Sequence, residues 1–498
     1  MLFNSLEFMI FFPIVCLAYY VIPRRVRYLF LLACSYFFYM CWNPTYALLL
    51  LTSTAATYGC GLLLGSFEEI ADEKKRNLRK KTVLALTFLI NLGILFFFKY
   101  FNFAASTLVR LLGLANIAVE QPVLDLVLPV GISFYTFQSL GYTMDVYRSD
   151  IKPERNFFKY ALFVSFFPQI VSGPIGRAKS LLPQIDEKHS FSFEQVRGGL
   201  LLMLYGYFQK LVLTENLAIA VNSVFDTYDQ RTGFQLLMAS LLYAFQIYCD
   251  FASYSNLARG AAQVMGFRLM ENFNVPYFSQ SVAEFWRRWH ISLSSWFRDY
   301  LYIPLGGNRK GKLRKHLNIM IVFLVSGLWH GASGHYVVWG FLNGIYQVIG
   351  EWMRPVKKWL VKVFRVDEEA FSHKLLRGIF TFALIDISWI FFRNPFIQSL
   401  KILFRIAGLN TDTYWFTWGN NLEAMGLTAQ SRNLLVAALA VLLLVEICQY
   451  KKIRLTEWIT RQGIWFRWLI YFAAIFGILI FGVYGPGYDA SQFIYAQF

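Results

Sequence analysis

The chain has 498 residues, 57% of them hydrophobic and 19% aromatic, with 50 phenylalanines. Soluble globular chains stay closer to half apolar and lack repeated apolar runs of membrane-spanning length, so that class is excluded. The net charge of +17 does not point to nucleic acid, because the basic residues cluster between apolar runs, at 24–27, 74–81, 309–315, 354–365 and 451–454.

Loops of that kind belong in the cytoplasm by the positive-inside rule, against the anionic face of a lipid bilayer. The first apolar run, about 5–22, is followed by Pro23-Arg24-Arg25 and not by a small-residue cleavage site, so it is expected to be a retained span. Two short spans meet at Trp42-Asn43-Pro44 and return the chain to the basic 74–81 loop. Further spans are expected near 82–101, 127–147, 198–218, 234–250, 317–334, 336–352, 378–393, 433–449 and 464–484, about a dozen crossings in all, with both termini outside. Phe157–Gly176 carries Pro168, Gly173, Pro174 and Gly176 in an apolar setting and reads as re-entrant, because irregular backbone at membrane depth needs protein or a water-filled cavity around it. Leu269–Leu305 mixes aromatics with arginines and reads as interfacial helices on the cytoplasmic face. Thr411–Arg432, with Trp415 and Trp418, reads as a polar outer loop and docking surface. The six cysteines lie mostly within apolar runs without a C-x-x-C pair, so they are expected to be small buried hydrophobes.

Five polar clusters interrupt the apolar pattern: Pro129–Gln138, Phe166–Arg177, Gln246–Asn256, Asn272–Asn308 and the segment Ser326-Gly327-Leu328-Trp329-His330-Gly331-Ala332. Small and polar residues in membrane helices often serve only close packing, but five clusters and two histidines exceed that need. His330 ends an apolar run and His290 closes Glu284-Phe285-Trp286-Arg287-Arg288-Trp289-His290. A titratable ring at membrane depth faces a pathway or cavity, and imidazole suits proton transfer near neutral pH. His330 and His335 are five apart, which does not share a helical face, so no metal site is expected. His189, His316, His335 and His373 lie in or near basic or loop segments, where surface roles are expected. A transporter or flippase is the reading from another class. Inverted symmetry and paired intramembrane charges would favour it, and neither is visible in the sequence.

In this order the five clusters resemble the membrane-bound O-acyltransferase (MBOAT) family, and within it the bacterial alginate and polysaccharide O-acetyltransferase branch. The likeness runs nearly end to end and is most specific over Phe285–Gly307 and Ser326–Gly344. It implies one integral-membrane acyltransferase domain over 1–498, all-α, with about 11–12 transmembrane helices and re-entrant and interfacial helices around a central tunnel. It places the family's catalytic histidine on His330 and a second motif position on His290. It implies an acyl group drawn from cytoplasmic acetyl-CoA, with no bound cofactor, and a hydroxyl approaching from the opposite side. It also implies an extracytoplasmic SGNH-type partner, a polysaccharide acceptor and the plasma membrane. Gln138, Gln246, Asp250, Ser326, Trp329 and Asn343 are then expected to line the tunnel, and Arg287, Arg288, Arg309 and Lys310 to hold the donor's phosphates. Within the enzyme class, D-alanyl transfer from a carrier-protein thioester to teichoic acid is the alternative. The chemistry agrees with the resemblance: a neutral imidazole is a suitable base for hydroxyl attack on a thioester, worth about 10² to 10⁴ in rate. Trp329 N–H, or Tyr and Ser side chains, are candidate donors to the oxyanion.

Overall fold

The computed structural model describes residues 1–124, 127–408 and 423–485, and among them all regular structure is helical. Among the described residues, six helical stretches are long and apolar enough to cross a bilayer: Tyr46–Glu69, Glu73–Leu114, Gly233–Val264, Phe371–Arg393, Ala429–Tyr450 and Ile464–Phe481. The crossings expected near 5–22 and 127–147 are 16-residue helices, Leu6–Val21 and Ile132–Tyr147. Those expected near 317–334 and 336–352 are the 19-residue helices Lys312–His330 and Gly334–Trp352, which are not among those six. Ser5 and Asp72 start their helices by accepting from the backbone N–H three residues on, the usual remedy for unsatisfied first-turn donors. The protein is a multi-pass, all-α membrane protein.

The chain divides into two compact units, 1–203 with 257–270 and 204–256 with the described part of 271–489. In the first unit the expected re-entrant segment is a broken helix, Phe157–Ser165 followed by Phe167–Ile170, and 160–176 is buried throughout. Its irregular backbone is satisfied by side chains, as burial away from water requires. Ser35 Oγ accepts from Phe167 N–H at 3.1 Å, Gln169 Nε2 donates to Pro174 O at 3.0 Å, and Gln138 Nε2 donates to Phe163 O. The Gly176 N–H donates to Gln138 Oε1 at 3.3 Å, so both ends of that amide brace the break.

In the second unit, helices Lys312–His330 and Gly334–Trp352 pack as an antiparallel hairpin. Glycine makes the approach possible: a Cβ on Gly327 would meet Tyr336 O at 2.2 Å, and one on Gly340 would meet Phe323 O at 2.3 Å. Small residues at a helix crossing are how membrane helices gain dispersion contact without a hydrophobic driving force. At the far end of the hairpin Lys315 Nζ pairs with Glu351 at 2.6 Å.

Candidate active site

His330 is the last residue of its 19-residue helix, and the rise of about 1.5 Å per step puts it about 27 Å along the axis from Lys312 at the basic N-terminus. Its Nδ1 lies 2.7 Å from Ser326 O. A carbonyl can only accept, so Nδ1 carries the hydrogen and Nε2 is the basic nitrogen of the neutral ring. The imidazole is buried in an aromatic shell, with ring centroids 5.0 Å from Trp329, 4.8 Å from Trp339 and 5.6 Å from Phe392. The hairpin crossing at Gly327 and Gly340 brings Trp339 to that position, and Phe392 comes from helix Phe371–Arg393.

His290 joins two short helices, Val282–Arg288 and Ile291–Phe297, neither long enough to span. Its backbone is left-handed (φ 44°, ψ 53°), a conformation that costs a non-glycine residue about 1–3 kcal/mol and persists only when its surroundings enforce it. The enforcement is visible. Ile291 N–H donates to Asn272 O at 2.9 Å, Ser292 N–H to Asn272 Oδ1 at 3.3 Å, and Asn274 N–H to Arg288 O at 3.0 Å. The turn presses the buried ring edge-on against Phe251 at 4.6 Å and beside Trp329 at 5.9 Å. Trp329 thus touches both histidines, which the fold brings together from forty positions apart.

The other expected residues have varied surroundings. Ser326 contributes its carbonyl to His330. Asn343 is fully buried, accepting from Trp286 Nε1 at 3.1 Å and donating to Trp339 O at 2.9 Å, so it anchors one helix to the other. Gln246 is buried with its Oε1 unpartnered. Asp250 meets Lys210 Nζ at 2.7 Å. Gln138 lies in the first unit as the brace described above. Arg287, Arg309 and Lys310 are exposed, whereas Arg288 is held by Glu284 at 2.7 Å and lies over the Tyr450 ring.

The sequence matches the family model of the membrane-bound O-acyltransferases over residues 152–367, a span that contains both histidines. It is 36% identical over 410 residues to a "probable alginate O-acetylase" of Pseudomonas syringae pv. tomato, covering 82% of this chain and 74% of that one. It is 33% identical to the peptidoglycan O-acetyltransferase of Helicobacter pylori (82% and 80% covered) and 28% identical to the teichoic acid D-alanyltransferase of Bacillus subtilis (48% and 64% covered).

The chain belongs to the membrane-bound O-acyltransferase family. It is an O-acyltransferase, and a reading as a transporter without acyl chemistry gives way to that. Its sequence nevertheless conceals a buried ionic cluster of the kind that reading would have used. Lys210, on a π-helical turn over Phe208–Thr214, meets Asp250 at 2.7 Å and Glu215 at 2.8 Å, with the Lys210 and Asp250 side chains wholly buried. The pairing joins positions forty apart and cannot be read from spacing. Two further expectations need correction. His189 and His316 are buried, not at the surface: His189 stacks on Phe267 and donates from Nε2 to Gln184 O at 2.6 Å, and His316 accepts from Trp352 Nε1 at 3.3 Å. Of the cysteines, Cys60 and Cys249 are buried, but Cys41 is exposed and the other three are half-buried. The residues that sequence reading missed are Trp339 and Phe392, packed against His330, and Trp389, stacked on Trp339. Aromatics make up 19% of the chain, so no single one stood out. The outer-loop residues Trp415 and Trp418 lie outside the described residues.

Proposed function

We propose that this enzyme transfers an acetyl group from cytoplasmic acetyl-CoA to hydroxyls of an extracytoplasmic polysaccharide, working in the plasma membrane beside an SGNH-type partner. The observation that carries the reading is the His330 ring, whose Nδ1–H is held by Ser326 O so that Nε2 is the base. In the reaction the acceptor oxygen bonds to the thioester carbonyl carbon while Nε2 takes its proton. The tetrahedral intermediate then collapses, the C–S bond breaks, and the thiolate recovers the proton from the imidazolium. His290 packs beside Trp329 and supports the site as a positioning residue. Arg309 and Lys310 stand at the basic end of the His330 helix and, with Arg287, suit the phosphates of CoA, while Arg288 is engaged by Glu284. The thioester end of the bound donor reaches His330 through a central tunnel along the helix, and the acyl group leaves the sulfur only there. Relatives named for O-acetylation of alginate and peptidoglycan match over four-fifths of the chain, whereas the D-alanyltransferase match covers 48%. A carrier-protein thioester is therefore the second reading.

The first acceptor in this scheme is a small hydroxyl on the partner, because a polymer needs a groove with several positioned polar contacts. Vesicles holding labelled acetyl-CoA inside, with partner and polymer outside, test the whole reading. Acetylated polymer is expected only when both proteins are present, and His330→Ala should lower it by about 10² to 10⁴-fold with insertion intact. Near-normal transfer by His330→Ala, or transfer from a D-alanyl carrier but not from acetyl-CoA, would overturn the base or the donor respectively. Efficient acetylation of the polymer without the partner would remove the partner from the scheme.

A further inference from the structure

Every side-chain donor packed around a reaction centre is either engaged by the protein or available to the reaction. Near His330, one indole is engaged differently from two others. Trp286 Nε1 donates to Asn343 Oδ1 at 3.1 Å, and Asn343 Nδ2 in turn donates to Trp339 O at 2.9 Å. Trp339 and Trp389, by contrast, are 0% and 1% exposed, and the Nε1–H of each is buried without a hydrogen-bond acceptor among the described residues. Buried N–H groups in folded proteins are nearly always paired, so two orphans side by side require an explanation. Trp339 belongs to the shell of the proposed base, 4.8 Å from the His330 ring, and Trp389 stacks on Trp339 at 5.9 Å with the rings 19° apart.

We propose that the Trp339 indole N–H, assisted by that of Trp389, is the donor that stabilises the oxyanion formed when the acceptor hydroxyl adds to the acyl carbonyl. The inference rests on acyl transfer occurring at His330 and assigns a catalytic role to a residue that carried none. The setting is suited to it. A donor held in place before charge develops, in a site shut off from water, stabilises an oxyanion far more than one that must reorganise. Trp339 is held from three directions. Asn343 binds its backbone carbonyl, the Gly327–Gly340 crossing pins its helix, and Phe392 and Trp286 pack edge-on against its ring at 5.1 and 5.5 Å. The ground-state carbonyl needs little from such a donor, so the orphaned N–H costs the resting enzyme and favours the transition state.

The test replaces the N–H and nothing else. Site-specific incorporation of 3-benzothienylalanine at position 339 keeps the fused ring and exchanges N–H for sulfur. Trp339→Phe serves as the genetic counterpart, and Trp389→Phe reports on the second donor. With the full-length protein in vesicles, kcat for acetyl transfer should fall about 10² to 10³-fold in the benzothienyl protein. KM for acetyl-CoA and the thermal midpoint should be unchanged. Trp389→Phe should show a smaller loss of the same kind. If the benzothienyl protein turns over within threefold of wild type, or if KM and thermal midpoint move while kcat does not, the indole is packing only and the proposal is wrong. A wild-type protein that uses another thioester would overturn the donor assignment alone, since the kcat ratio at position 339 can be read with that donor.

Discussion

His290 adopts a left-handed backbone that only its own surroundings enforce, and this separates two roles that one substitution would confuse. Asparagine tolerates that conformation far better than alanine. His290→Asn should therefore keep the thermal midpoint close to wild type while lowering turnover by up to about 10²-fold, the order of loss that misplacing a catalytic group brings. His290→Ala should lose both activity and stability, since strain is added to the loss of the ring. Circular dichroism melts beside acetyl-incorporation assays would show the difference. An alanine variant as stable as the asparagine one would mean that the turn is not strained in the way described. His330 differs in kind: its backbone is ordinary helix, and its side chain alone is at stake.

At the scale of elements, the hairpin of Lys312–His330 with Gly334–Trp352 sets the position of the site. The glycines at 327 and 340 are the points of closest approach, and any side chain there must separate the helices. Gly340→Ala places a methyl against the Phe323 carbonyl, and overpacking of this sort typically costs about 1–3 kcal/mol. Because Trp339 and His330 sit on opposite members of the hairpin, activity should fall further than the lowered melting temperature alone explains. Activity measured well below the new midpoint tests this, and full activity there would show that hairpin spacing does not tune the site. The short helices around His290 contribute through Asn272 and Asn274, whose backbone and side-chain contacts fix a turn that no helix propensity would select.

At the scale of the whole molecule, the arrangement of basic loops makes a prediction about sidedness. Segments 74–81 and 309–315 should face the cytoplasm, where a CoA donor is found. In a Cys41→Ser background, since Cys41 is exposed, Lys310→Cys should react with a membrane-impermeant maleimide only after the cells are opened. Labelling of intact cells at position 310 would reverse the donor side. The buried Lys210–Asp250–Glu215 cluster belongs to this scale too, since it ties the π-helical turn at Phe208–Thr214 to helix Gly233–Val264 inside the apolar second unit. Breaking a buried pair leaves an uncompensated charge, so the cluster acts as a strap that the fold cannot lose from one side.

Apolar periodicity, basic clusters and the placement of glycine and proline were enough to read an all-helical, multi-pass chain with a broken segment at Phe157–Gly176. Each of those signals is local, set by the cost of taking backbone or charge into lipid. The two histidines were legible for the same reason, as polar rings in apolar surroundings. Sequence spacing did not reveal that Trp329 lies between them, that His330 donates from Nδ1 to the Ser326 carbonyl, or that Trp339 and Phe392 pack against the ring. Nor did it reveal that His189 and His316 are buried or that Lys210 finds two carboxylates. These are contacts between residues distant in sequence, and a side chain's partner across a helix crossing depends on where two backbones meet. Glycine allowed that meeting, but only the packed structure decided which rings it would bring to the base.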